Sequence, residues 1–190
     1  PWEFDQEFLK EFRRVVEFRY SLLPYIWAQA TLCSQRGLPM LRPFFMEFPE
    51  DPGSWLVEDA YLLGPDILVA PLFEETAKRK VYLPPGAWVD MQTHERHEGG
   101  RWKETAAGTI PAVILAREGS LIPRCEPAPH TGALDWSKIR LEAWGKPGKA
   151  TGYFAAVDAK EAWNLEVTPS GKGWKIAKDP SGGKILWDVT

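Results

Sequence analysis

Cysteine is scarce in this chain: among 190 residues there are two, Cys33 and Cys125. They stand far apart, with no CxxC and no paired-histidine spacing, which argues against a disulfide scaffold or a zinc knuckle. Neither has a candidate base close in sequence, so a cysteine nucleophile is not indicated. Both are expected as free thiols, which favours a reducing, cytoplasmic compartment. Charge of one sign is also in short supply, since the net charge is -3. Nothing electrostatic therefore recommends nucleic acid or an anionic membrane as a partner. Long apolar runs are missing too: every hydrophobic stretch is interrupted within a few residues, so no transmembrane helix is expected. There is no GxSxG, no Ser/His/Asp arrangement and no phosphate-cradling GxxxxGK[ST] loop. The opening PWEFDQEF has neither an initiator methionine nor a basic-then-apolar leader, and reads as a start inside a longer protein.

What is present is apolar and aromatic. Hydrophobic residues make up 44% of the chain and aromatic residues 13%, enough to build one large domain or two small ones. After Asp5, an N-cap candidate with Glu7 in the first turn, apolar residues recur at Phe8, Phe12, Val15, Val16, Leu22, Leu23, Ile26, Trp27 and Ala30. That spacing of three to four predicts an amphipathic helical segment over 5–35. Pro24 should kink it or divide it in two. Arg36 followed by Gly37 is a stop signal.

From Gly37 onward Pro and Gly recur every few residues, and the segments between them are rich in Val, Ile, Leu, Tyr and Trp. Leu38–Phe48, Tyr61–Phe73, Lys80–Leu83, Trp88–Met91, Ala112–Ala116 and Ser120–Ile122 read as strands. "PPGAW" and "EGGRW" read as turns between them. "ILVAPLF" is apolar on both faces and predicts a strand covered on both sides. The regular turn signals imply an antiparallel sandwich. A second boundary falls at residues 122–136, where three prolines crowd together. Beyond it Ile139–Trp144, Thr151–Ala155, Ala162–Val167, Gly173–Ala177 and Ile185–Val189 form a second small β domain.

Several residues invite a chemical reading. His94 and His97, three apart and flanked by Glu95 and Glu98, could share a helix face and hold a metal. Their place before Gly99-Gly100 favours an exposed polar turn instead, and His130 reads as a linker residue. Glu47, Asp59 and Asp66 flank strands and could in principle supply the two carboxylates that glycosidic hydrolysis needs. Equally, acids at strand ends cap turns and pair with neighbours such as Arg42. The ten tryptophans could stack on flat sugar faces, although in sandwiches an indole is more often core. Trp2 and Phe4 differ: they precede the helix in what reads as a strand-to-helix loop, the side of a (β/α) barrel that faces substrate.

The blocks "RYSLLPYIW", "GLPMLRPFFMEFPEDP", "WLVEDAYLLGPDILVAPLF", "KVYLPPGAWVDMQT" and "REGSLIP", collinear over residues 1–124, resemble glycoside hydrolase family 31, the α-glucosidase and α-xylosidase family. Farther on the likeness weakens: "YFAAVDAKE" (Tyr153–Glu161) stands where members often carry an acidic "YEDDG"-like turn. The resemblance implies a mainly β fold with an N-terminal helical segment. Residues 1–53 would be a barrel remnant, with helix 5–35 and the last strand of a (β/α)8 barrel at 38–48. Residues 54–123 would be the proximal C-terminal β-sandwich, and 124–190 an incomplete distal β domain.

The resemblance also implies retaining hydrolysis of terminal α-linked sugars, with an aspartate nucleophile and an aspartate acid/base on barrel strands that these residues do not include. No catalytic residue is therefore carried over, and neither metal nor cofactor is implied. Trp2 and Phe4 are the substrate-pocket candidates. The segment is expected to buttress the barrel it packs on and to be inactive alone, with Glu47, Asp59 and Asp66 as polar punctuation. The rival expectation is a stand-alone carbohydrate-binding β-sandwich.

Overall fold

The computed structural model describes residues 2–157, 161–171 and 173–190. Helix α1 (Gln6–Ser21) begins where Asp5 accepts the Phe8 N–H at 2.8 Å, which satisfies one of the donors a helix leaves unpaired. Pro24 does divide the helical segment. It has no N–H to give to the preceding turn, so it occupies the first turn of a new helix, α2 (Leu23–Arg36). Gly37, at φ 66°, ends α2 in the left-handed conformation.

The strand expected over Leu38–Phe48 is shorter than its apolar pattern suggests. Only β1 (Leu41–Arg42) is paired, and α3 (Phe44–Glu47) is a single helical turn. Pro43 enters it with φ -63°, and Phe48 N–H closes it onto Phe44 O at 2.9 Å. A 3-10 turn, Pro52–Leu56, follows. Next come β2 (Tyr61–Leu63), β3 (Ile67–Pro71), β4 (Lys78–Leu83), β5 (Ala87–Asp90) and β6 (Arg96–Glu98). They are followed by β7 (Arg101–Ala106), β8 (Ala112–Arg117), β9 (Leu121–Arg124) and β10 (Lys138–Ala143). The chain continues through β11 (Ala150–Phe154), β12 (Trp163–Ser170), β13 (Gly173–Ile176) and β14 (Leu186–Val189).

Two compact units result. One comprises Pro39–Ser120 with Trp144–Lys146. It holds a six-stranded antiparallel sheet ordered β1-β2-β3-β8-β5-β6 and a two-stranded β4-β7 sheet. The apolar run of β8 is buried from Ala112 to Ala116, and Ile67, Leu68 and Ala70 of β3 are buried beside it. Two-sided burial is why these strands read as continuous apolar runs and do not alternate. Trp88 sits in this core with no exposed surface, and its indole N–H donates to Pro84 O at 2.9 Å.

The other unit comprises the residues up to Leu38, Leu121–Ala143 and Pro147–Thr190. Its strands form a β14-β10-β9 sheet, in which β10 runs parallel to β14, and an antiparallel β11-β12-β13 sheet. Leu121, Ile139, Leu141, Phe154, Leu165 and Val167 make its core, and Tyr20 and Leu23 pack on it. Helix α2 lies against β9 and β11. Gly152 permits the approach of β11 to β9, since a Cβ there would stand 1.9 Å from Leu121 O. Asp158–Lys160, within the Tyr153–Glu161 stretch, lie outside the described residues.

Candidate functional site

Glu47 and Asp59, in the Gly37–Phe73 stretch, are engaged in ion pairs. Glu47, at the end of α3, pairs with the guanidinium of Arg42, which is buried and also donates to Pro39 O at 2.8 Å. Asp59 pairs with Arg79, whose guanidinium also bonds the Asp59 and Pro71 carbonyls and lies 5.5 Å over the Phe73 ring. The Asp66 carbonyl accepts the Arg117 N–H at 2.7 Å, which ties the β2–β3 turn to the end of β8. A glycosidic acid must hold its proton near neutrality, which needs burial or a like charge beside it.

Among the described residues, the carboxylates with clear shifts are held below their usual range. For Glu118 the cause is hydrogen bonding from Arg96. At Asp51 burial acts upward, but the Ser54 and Tyr82 hydroxyls and the Gly53 and Ser54 N–H groups outweigh it. Ser54 Oγ lies 2.6 Å from Asp51, and Tyr82 OH 2.8 Å. Burial and the Asp51 charge push Tyr82 up to about 12. This cluster pins the 3-10 turn to β4. It was not singled out in the sequence, although Asp-Pro-Gly-Ser is a turn-capping signature.

Of the histidine pair, His94 is exposed at the turn, as its sequence suggests, but His97 is not. His97 is 2% exposed on β6, because the alternation of a strand turns it inward between Arg96 and Glu98. His94 lies in the preceding turn with φ 62°, and its ring stacks on Trp144 at 5.4 Å. Among the described residues no group of three or more His, Cys, Asp or Glu is disposed to hold a metal ion. Both cysteines are free thiols; Cys125 is buried, which raises its pKa.

The two pocket candidates lie at the head of an aromatic ladder. Trp2 and Phe4 are exposed, the Phe4 ring is 4.4 Å from Phe8, and Phe8 is 6.1 Å from Phe12. Phe8, Phe12, Val15 and Val16 of α1 are each more than a third exposed. Beside them runs a groove of about 700 Å³ lined by Gln6, Leu9, Lys10, Phe12, Arg13 and Val16. Most other tryptophans are structural: Trp88 and Trp144 are buried, while Trp136, Trp163, Trp174 and Trp187 pack on the helix-bearing unit's core. Trp27, Trp55 and Trp102 stay partly open.

Comparison with known proteins supplies the class. Residues 37–122 match the model of the glycosyl hydrolase family 31 C-terminal domain. The chain carries a C-terminal portion of that family. An α-xylosidase of Saccharolobus solfataricus is 31% identical over 160 residues, covering 83% of this chain and 22% of that protein. Alpha-glucosidase 2 of Bacillus thermoamyloliquefaciens is 32% identical over 123 residues, covering 64% of this chain and 16% of the relative. The chain thus spans about a fifth of the length of these relatives. Among solved structures, an α-xylosidase of Xanthomonas citri matches with a TM-score of 0.74 at 27% identity, over 92% of this chain and 19% of the other. A dextranase of Flavobacterium johnsoniae, complexed with glucose, shares the fold at a TM-score of 0.78 and 23% identity, over 93% of this chain and 23% of the other.

Proposed function

We propose that this chain is the C-terminal frame of a retaining α-glycosidase that removes terminal α-linked glucose or xylose. Its residues support the reacting groups and do not include them. The observation that carries this reading is the commitment of Glu47 and Asp59 to Arg42 and Arg79. Both carboxylates are taken up in ion pairs that hold the backbone in place, since Arg42 also donates to Pro39 O and Arg79 to the Asp59 and Pro71 carbonyls. In the intact enzyme an aspartate elsewhere attacks the anomeric carbon, a second protonates the departing oxygen, and water then releases the sugar with retention. The apolar stripe of α1 is the face this frame offers to the catalytic barrel. Trp2 and Phe4, at the head of that stripe, form part of the rim of the sugar pocket.

The test is turnover of nitrophenyl α-glucoside and nitrophenyl α-xyloside. The 190 residues alone are expected to release no nitrophenol above the blank. Release that survives repurification and vanishes in Glu47→Gln or Asp59→Asn would place the chemistry here and overturn the reading.

A further inference from the structure

We infer that His97 is an acid-sensitive latch: as a neutral imidazole it ties the β5–β6 hairpin to β7 through the ammonium of Lys103, and on protonation it lets go. His97 lies in the middle of β6, opposite the buried Trp88 of β5. Its Nδ1 is 2.5 Å from Lys103 Nζ. An ammonium has only donors, so Nδ1 must accept, and the single ring proton sits on Nε2. Nε2 is buried without a hydrogen-bond partner. The imidazole is therefore held by one strong contact, and that contact requires it to be neutral.

The contact joins two sheets of one unit. β6 is an edge strand of the six-stranded sheet, and β7 belongs to the two-stranded one. Protonating Nδ1 turns the acceptor into a donor aimed at a cation, so the joint becomes a repulsion between like charges. Charged groups from each neighbouring segment bear on it. Glu95, in the β5–β6 turn, lies 3.4 Å from Nδ1 and 3.2 Å from Lys103 Nζ. Its side chain is 66% exposed, so solvent screens its help. Asp90, on β5, is buried, but its Oδ1 accepts the N–H groups of Gln92 and Thr93 at 2.7 and 2.8 Å. Burial first and Lys103 second hold the imidazole below its usual pKa, against the weaker pull of Glu95 and Asp90.

The direction of the pH effect follows. Above about 6.5, the ordinary value of an unfolded histidine, neither state binds the proton and the latch is intact. As the pH falls below that value, the unfolded chain takes a proton that the folded one refuses. The unfolding equilibrium constant then rises by up to about tenfold per pH unit until the folded imidazole titrates as well.

Two measurements test this on the chain: an NMR titration of the His97 ring, and denaturant unfolding between pH 5 and 8. The ring is expected to titrate below 6.5, and Lys103→Met to move its midpoint upward. His97→Asn, whose Oδ1 can accept from Lys103 without titrating, is expected to remove the latch's share of the acid-linked rise in unfolding. A midpoint at or above 6.5, a midpoint unmoved by Lys103→Met, or an undiminished acid slope in His97→Asn would each overturn the latch. The ring titration in the unmutated chain and in Lys103→Met decides the matter even if His97→Asn does not fold.

Discussion

Gly37 and Gly99 are both glycines at the ends of elements, yet each excludes a side chain for a different reason. Gly37 has φ 66° with nothing within 4 Å of a would-be Cβ, so an alanine there meets only the backbone cost of the left-handed region. Gly99 has no such dihedral, but its Cβ would stand 1.9 Å from Pro84 O and 2.9 Å from Gly86 O. Both obstacles are backbone, and neither can rotate away. We expect Gly37→Ala to cost about 1 kcal/mol and Gly99→Ala at least about 3 kcal/mol, read from denaturant midpoints. Equal losses would show that the β4–β5 turn yields more easily than its geometry implies. Gly37 was legible as a helix stop from its neighbour Arg36 and the end of the apolar periodicity. The requirement at Gly99 depends on a carbonyl fifteen residues earlier, which no local pattern reports. The same holds for His97, whose burial is set by strand alternation and by Lys103 on a different sheet.

At the scale of elements, α1 carries more apolar residue than its own unit covers. Periodicity identified its stripe correctly, and a stripe of that width ordinarily faces a core. Here Phe8, Phe12, Val15 and Val16 stay more than a third exposed, while α2 buries Tyr25, Ala28 and Leu32. An exposed apolar face of this kind favours association. Phe12→Asp with Val16→Asp is therefore expected to lower binding of an environment-sensitive dye and shift the chain toward monomer in sedimentation. The change in unfolding free energy should stay within about 1 kcal/mol, because little burial is lost. Unchanged dye binding would mean that the stripe is already covered. The shortened β1 belongs to the same scale. An apolar run from Leu38 to Phe48 looks strand-like, but Pro43 interrupts the ladder and starts a helical turn, an effect of one missing N–H that the apolar pattern masks.

For the whole molecule, the decisive contrast is between a frame and a sugar-binding module. Ten tryptophans could serve either, and their placement separates the two: most of them fill or line cores. Calorimetric titration with maltose, isomaltose and xyloglucan oligosaccharides is expected to give no saturable heat. A saturable isotherm, lost on replacing Trp55 or Trp102 with alanine, would favour the module.

The sequence by itself determined the helical start, the β character of the rest, the helix break at Pro24 and the family blocks, because each is written in short-range spacing and turn chemistry; the parallel pairing of β10 with β14 is not. It left open which carboxylates were available for chemistry, which histidine was buried and which glycine touched backbone. Only the tertiary structure decided these. Whether Glu47 is neutralised by Arg42, or His97 held by Lys103, depends on charges and carbonyls brought within a few ångströms by strand pairing, and the electrostatic energy of a group follows that distance, not its position along the chain.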